Sequence, residues 1–215
     1  MPALSTPKQA TEQRQASLVA AALALAAQRS PADVTTADLA LAVGITQGAV
    51  FRHFESKAAI WLAVMDTVHH DLLARLHAAA ETQAPPLVAL RAVFMAHVDF
   101  VLEQPGVPRV IFQELQRPED TPLKARVRGL MQDYRHLITG LLQRAQAARQ
   151  LAPGTNLQAA AVLFIGSVQG LVMQSLLSGQ VAAIRPLAPA VFDLFQQAVA
   201  APPSRTRRSP QETPA

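Results

Sequence analysis

The 215-residue chain contains no cysteine. This absence excludes disulfide scaffolds, zinc–thiolate sites, iron–sulfur clusters and cysteine nucleophiles. Charged residues make up only 16% of the chain, which disfavours a long disordered segment or a coiled coil. Aromatic residues are also scarce at 5%, while half of the residues are hydrophobic, a composition typical of packed helices rich in alanine and leucine.

Positive charge is not concentrated in one part of the chain. The formal net charge is +4, of which residues 1–57 and 58–200 each contribute +1 and residues 201–215 contribute +2. None of these segments forms a basic stripe. Net charge alone therefore gives only mild support for a nucleic-acid partner.

Two apolar segments raise the question of a targeting signal or a membrane span. Residues 18–27 follow two basic residues, as the centre of a signal peptide would, but Glu12 and the leucine spacing fit an amphipathic helix better. Residues 159–173 include two glycines and two polar residues, and we expect this segment to be too short and too polar to cross a bilayer. We therefore predict a soluble, cytoplasmic protein that does not bind a membrane.

Apolar periodicity and capping residues predict an all-α fold with nine helices and no strand. Thr35 and Asp38 have the spacing of a capping box, and Gly44 is expected to end the second helix in a left-handed conformation. Residues 104–108 are expected to form a loop. The predicted helices cover about 12–28, 36–43, 47–53, 57 to the proline pair at 85–86, 87–102, 109–115, 121–148, 156–177 and 187–199.

Residues 35–54 have the pattern of a helix-turn-helix. Leu39, Ala40 and Val43 are expected to face inward, and the small Ala40 allows the second helix to cross closely. Gly48 and Ala49 would let the start of the second helix lie deep in a major groove of DNA. The alternative from this segment alone is an ordinary helical corner that contains a glycine.

The segments TTADLA (residues 35–40) and GITQGAVFRHFESK (residues 44–57) resemble the tetracycline-repressor family of bacterial transcription regulators. The resemblance covers about residues 12–65. It implies a homodimeric repressor that binds a palindromic double-stranded DNA operator. A small, mainly apolar effector would release this repressor from the operator. The resemblance implies neither enzymatic activity nor a cofactor. The implied organisation is a loose arm (1–10), a three-helix DNA-binding domain (11–56), a helical effector-binding and dimerisation domain (57–200) and a disordered basic tail (201–215).

The resemblance also implies roles for individual residues of the motif. Thr36, His53 and Lys57 correspond to phosphate contacts. The groove-facing start of the recognition helix corresponds to Thr46, Gln47, Gly48 and Ala49. One departure is Phe51, which stands where the family usually has tyrosine; we expect it to keep the packing and to lose a hydroxyl hydrogen bond to the backbone.

Two further surfaces are expected in the C-terminal domain. An effector cavity between helices would have mainly apolar lining with a few polar anchors, and its candidates are Phe94, His97, Val98, Val101, Phe112, Leu115, Met131, Tyr134, Phe164, Gln169 and Met173. The last two helices are strongly apolar and would pair across a two-fold axis into a four-helix bundle. The candidates for this dimer interface are Gly166, Gly170, Val191, Leu194 and Phe195.

Other functions find less support in the sequence. Asp66, His70 and His77 share a helix face, but histidines there are more often solvent-facing than metal ligands, and we expect no metal site. A helical enzyme would need a convergent acid–base set, which the sequence does not suggest. A helical adaptor that keeps the helix-turn-helix for protein contacts is a third hypothesis, for which Phe51 is the best hint.

Overall fold

A computed structural model of the chain describes residues 7–81 and 84–201, with side chains from residue 11 onward. Within these ranges there are nine α-helices and no strand, which confirms the predicted fold class. The predicted basic tail lies almost entirely outside the described residues. The helices are α1 (Pro7–Gln28), α2 (Thr36–Ala42), α3 (Gln47–Val50), α4 (Lys57–Ala80), α5 (Pro86–Glu103), α6 (Gly106–Leu115), α7 (Pro122–Ala147), α8 (Leu157–Ser178) and α9 (Ile184–Val199).

Local capping fixes the helix-turn-helix as expected. The Thr35 hydroxyl accepts from the Asp38 backbone N–H at 3.1 Å, and the Asp38 carboxylate accepts from the Thr35 N–H at 2.8 Å, so the capping box is confirmed. Hydrogen bonding from Thr35, supported by Arg29, lowers the pKa of Asp38 to about 2. Gly44 has φ +67°, which confirms the left-handed end of α2, and the Thr46 hydroxyl caps α3.

Three helix starts differ from the sequence-based expectation. α1 begins at Pro7, within the arm predicted to be loose, because proline suits the first helical position, where an N–H would have no partner. α6 begins at Gly106, within the expected loop, and a Cβ there would overlap the backbone carbonyl oxygen of Leu23. Gly106 therefore serves the close approach of α6 to α1. α9 begins at Ile184 and accepts Pro186 in its first turn.

The long helix α4 is the spine that joins the two halves of the fold. Its predicted apolar stripe is confirmed, since Ile60, Val64, Val68, Leu72 and Leu76 are all buried. α4 packs against α1 of the N-terminal domain and against α5 and α7 of the C-terminal domain. α4 therefore runs without interruption from the end of the helix-turn-helix into the C-terminal domain.

The helix α8 corrects one expectation about apolar segments. It spans 22 residues and is long and apolar enough, by length and composition only, to cross a membrane, whereas the expectation rested on residues 159–173 alone. Helices that lie in the core of a folded domain meet the same criterion. In α8 the buried side includes Phe164, Val168 and Val172, which pack against the rest of the C-terminal domain.

Candidate DNA-binding surface and effector cavity

The start of α3 presents the residues expected to read DNA. Thr46, Gln47 and Gly48 are exposed and Ala49 is half-buried, while Val50 beneath them is fully buried and anchors the helix. The Gln47 side-chain amide donates to the Thr36 hydroxyl at 2.8 Å. This bond joins Gln47, which is expected to contact a base, to Thr36, which is expected to contact a phosphate, across the corner between α2 and α3.

The two other expected phosphate contacts lie next to this corner. Lys57 is the first residue of α4, and its ammonium donates to the backbone carbonyl of Ala32 at 2.8 Å. The backbone carbonyl of His53 accepts from the Gln15 side chain at 2.9 Å, which ties the end of the motif to α1. His53 Nδ1 is buried without a hydrogen-bond partner among the described residues.

Phe51 does not keep a packing role in this structure. Its side chain is 49% exposed, so the expectation that phenylalanine preserves the packing here was wrong. α3 ends at Val50, Phe51 is its C-terminal cap, and Phe54 rather than Phe51 packs against the core.

A cavity of about 320 Å³ lies among α4, α5, α6, α7 and α8. Seven of the residues expected to line an effector cavity border it, namely His97, Val101, Phe112, Leu115, Met131, Tyr134 and Gln169. The remaining apolar wall comes chiefly from Leu72, Phe100, Val107, Pro108, Ile111, Val127, Leu130, Val168 and Val172. The lining is almost wholly apolar, and its size falls within the usual range of small-molecule sites.

Four expected cavity residues lie elsewhere. Phe94 and Phe164 are fully buried in an aromatic cluster, with ring centroids 5.4 Å apart, and Val98 is buried in the core beside the cavity. Met173 is 40% exposed, because it follows Val172 by one residue and therefore lies about 100° around α8 from the cavity wall. Sequence spacing identified the right helices and the facing residues of α6 and α7, but it misplaced some candidates on α5 and α8.

Two polar side chains sit on the wall of the cavity and are bonded to each other. His97 Nδ1 lies 3.0 Å from the Tyr134 hydroxyl. Burial lowers the pKa of His97 to about 4 and raises the pKa of Tyr134, so both side chains are neutral at pH 7. The pair therefore offers hydrogen bonding to a ligand without adding charge.

Two cavity residues, Lys124 and Arg128, were not anticipated from the sequence. They lie on α7 at a spacing of four residues, on the same helix face as Val127, Met131 and Tyr134. That spacing was readable in the sequence, but a search for apolar lining passes over charged side chains.

The outer face of α8 and α9 is apolar and uncovered. Gly166 and Gly170 have no neighbouring atom within 4 Å of a Cβ position, and Leu194 is 67% exposed. Val191 is half-buried at the edge of this face. Phe195, in contrast, lies inside the protomer with its ring 5.3 Å from Phe164, because α9 turns positions 188, 192, 195 and 199 inward. Its assignment to a dimer interface was wrong.

Comparison with known proteins identifies the family. Residues 18–64 match the model of the bacterial regulatory proteins of the tetR family, and residues 113–191 match that of the tetracyclin repressor-like C-terminal domain. The chain belongs to the tetracycline-repressor family. Members of this family are DNA-binding transcription regulators with a helix-turn-helix, so the chain is a regulator of this kind and not an enzyme.

Individual relatives agree with this assignment. The nucleoid occlusion factor SlmA of Haemophilus ducreyi is 28% identical over 127 residues, which are 59% of this chain and 63% of that protein. A TetR regulator from Chloroflexus aurantiacus has the same fold, with a TM-score of 0.76 at 21% identity over 89% of this chain and 98% of that one. FadR of Bacillus subtilis, solved with stearoyl-CoA, has a TM-score of 0.74 at 16% identity over 84% and 96%.

Proposed function

We propose that this regulator is a cytoplasmic homodimeric repressor that leaves a palindromic operator when a small organic molecule fills the C-terminal cavity. The observation that carries this proposal is the position of α6. One face of α6 lines the cavity with Ile111, Phe112 and Leu115, and the other face holds the N-terminal domain. A ligand and the operator would therefore act on the same helix.

The contact between α6 and the N-terminal domain leads directly to an expected phosphate contact. The Gln113 side-chain oxygen accepts from the Ala32 backbone N–H at 3.0 Å and from the Ser30 hydroxyl at 3.2 Å. The carbonyl of the same Ala32 accepts from the Lys57 ammonium. A shift of α6 on ligand binding would thus move the loop that positions Lys57 at the start of α4.

The second route between the sites is α4 itself. Leu72 borders the cavity and Lys57 begins the same helix, 15 residues earlier and roughly 22 Å away along the helix axis. A ligand changes operator affinity only if it binds better to one arrangement of these helices than to the other. We expect the ligand to favour the arrangement in which the two recognition helices of a dimer no longer match the half-sites.

The uncovered face of α8 and α9 supports the dimer. Gly166 and Gly170 would allow two α8 helices to approach closely, and Leu177, Leu187 and Leu194 would be buried against the second protomer. Exposed apolar side chains grouped on one face often mark a protein–protein interface. Two-fold symmetry would place the helix-turn-helix motifs as a pair, which a palindrome requires.

Selection of binding sequences tests the proposal. Purified protein would be mixed with a pool of random double-stranded DNA at 150 mM salt, and the retained fragments would be sequenced. We expect an inverted repeat whose half-sites are about one or more helical turns apart. Recovery of no common sequence, or of a single half-site without symmetry, would contradict a dimeric repressor. The Gln47→Ala variant is the matched comparison, since it should retain the spacing but accept more bases at one position of each half-site.

A second candidate function comes from the likeness to nucleoid occlusion factors. A relative of that name from Actinobacillus pleuropneumoniae matches over 143 residues, which reach beyond the DNA-binding domain to 66% of this chain. The second candidate for this chain is therefore a protein that binds DNA without controlling the adjacent genes. Comparing transcript levels beside the bound sites, with and without the protein, separates the two candidates: unchanged transcripts at every site would favour the second.

A further inference from the structure

The groups that line the cavity carry positive charge and no negative charge. Lys124 and Arg128 are its cations, and no aspartate or glutamate belongs to its wall. The other ionisable wall residues, His97 and Tyr134, are neutral at pH 7 because burial disfavours their charged forms. The electrostatic character of the cavity is therefore set by the two basic side chains on α7.

In the part of the chain that the structure describes, neither cation is held in a buried ion pair. The Lys124 ammonium donates to the backbone carbonyls of Arg117 and Glu119, and within the described residues it has no carboxylate partner. Arg128 donates to Asp120 at 2.6 Å, but the side chains of this pair are 52% and 70% exposed. Exposed ion pairs contribute little stability, so a better-placed anion could replace Asp120 at small cost.

The cavity is elongated along α7, with its charge at one end. Lys124 and Tyr134 both line it and are ten positions apart, which corresponds to roughly 15 Å along a helix axis. The cations lie toward the start of α7, and the His97–Tyr134 pair lies toward the far end. At about 320 Å³ the cavity holds roughly ten groups of the size of a water molecule or a methylene, at about 30 Å³ each.

We propose that the ligand of this cavity is an amphipathic organic carboxylate, with its carboxylate group at Lys124 and Arg128 and an apolar chain of about ten carbon atoms directed along α7 toward Tyr134. This inference rests on the proposed function only in calling the ligand an effector, because binding itself can be measured without DNA. A carboxylate would form charge-assisted hydrogen bonds with both cations, and the apolar wall would take the chain out of water.

The absence of acidic wall residues predicts the sign of the ligand charge. An organic cation of the same length would place its charge beside Lys124, where the nearby Asp120 carboxylate is already paired with Arg128 and no carboxylate belongs to the wall, which is unfavourable at a partly desolvated site. A neutral alcohol would gain the apolar contacts but not the charge-assisted bonds. Anion, neutral molecule and cation should therefore bind in that order.

Three probes of equal chain length test this order. Decanoate and decylammonium, below their micelle concentrations, and decanol, below its solubility limit, would each be titrated into the full-length protein at pH 7.5 by isothermal calorimetry. We expect decanoate to bind about tenfold more tightly than decanol, the factor that corresponds to about one charge-assisted bond, and decylammonium to bind more weakly than both. Equal binding of decanoate and decanol, tighter binding of decylammonium, or no binding of any probe would each overturn the proposal.

Two variants of α7 locate the preference. Lys124→Gln should remove most of the advantage of decanoate over decanol while leaving decanol affinity within about twofold. Arg126→Gln is the matched control, because Arg126 lies on the same helix and pairs with Asp66 at 3.1 Å, away from the cavity wall. An advantage of decanoate that survives Lys124→Gln, or is lost in Arg126→Gln, would contradict the proposed head site.

The outcomes for this inference and for the proposed function are separable. Operator selection is performed without any ligand, so a palindrome recovered alongside failed decanoate binding would overturn only the carboxylate proposal. Decanoate binding with the expected dependence on Lys124, alongside a failure to select DNA, would overturn only the repressor proposal.

Discussion

Lowering the pH from 7 to 5 should destabilise the fold through the buried His97. Its pKa is about 4 in the folded protein and 6.5 in an exposed histidine, with desolvation as the cause. Between these values the unfolded chain binds a proton that the folded chain does not. The contribution of this group to stability is therefore complete above pH 6.5 and is lost progressively as the pH falls toward 4.

The magnitude follows from the pKa difference. At pH 5 the folded chain still holds His97 neutral, while the pH lies about 1.5 units below the pKa of the same histidine in the unfolded chain. Protonation of the unfolded chain therefore lowers the free energy of unfolding by roughly 2 kcal/mol per chain. The glutamine of His97→Gln can still accept a hydrogen bond from the Tyr134 hydroxyl. Between pH 7 and pH 5, we expect the free energy of unfolding of this variant to fall by about 2 kcal/mol less than that of the parent protein. Urea unfolding at both pH values and one protein concentration measures this.

The control for this prediction is His136→Gln. His136 is exposed on α7, the helix that also carries Tyr134, so its replacement controls for the loss of a histidine outside the buried pair. If His97→Gln and the parent protein lose the same free energy between pH 7 and pH 5, desolvation does not hold His97 neutral, and the charge assignment of the cavity fails with it.

Three other predictions concern the DNA-binding surface, the dimer and the α1–α6 contact. Gln47→Ala should cost about 1–3 kcal/mol of binding free energy for the preferred operator and less for a sequence changed at one half-site position. Lys57→Ala should weaken binding to all DNA sequences and reduce the slope of log affinity against log salt by about one per half-site. Fluorescence anisotropy at several salt concentrations distinguishes the two variants, and an unchanged slope would contradict the role of Lys57. Leu194→Glu should sediment as a monomer at micromolar concentration and bind operator poorly, and a parent protein that is itself monomeric there would refute the interface. Gly106→Ala should destabilise the fold by about 1–3 kcal/mol in urea unfolding, because its methyl group meets α1. Gly140→Ala, whose Cβ position is open, should not destabilise the fold. Equal free energies of unfolding for the two variants would refute the close contact.

The helix-turn-helix was predictable because its determinants are local. Thr35, Gly44 and Thr46 act through backbone groups within a few residues of themselves, so their sequence spacing is sufficient to place α2, the turn and α3. The apolar stripe of α4 was predictable for a similar reason, since a regular four-residue spacing defines one helix face.

The errors concern features that depend on tertiary packing. Gly106 looks like a turn residue, but it begins α6, and the backbone of α1 leaves no room for a side chain there. Leu194 and Phe195 are adjacent and equally apolar, yet one is 67% exposed and the other 2%, because the aromatic cluster selects one face of α9. Lys124 was overlooked because its place on an apolar cavity wall depends on how α6 and α7 pack, which sequence composition does not report.

The central claim is that filling the cavity weakens operator binding, and a cavity-filling variant tests it most directly. Val101 is buried on the cavity wall, so Val101→Phe would occupy part of the ligand space. Val88→Phe is the control, since Val88 lies on the same helix and is 53% exposed away from the cavity. With folding and dimerisation verified, we expect Val101→Phe to lower affinity for the selected operator by about 5- to 150-fold, the usual range of allosteric coupling. Affinity equal to that of the parent protein and Val88→Phe would contradict the claim.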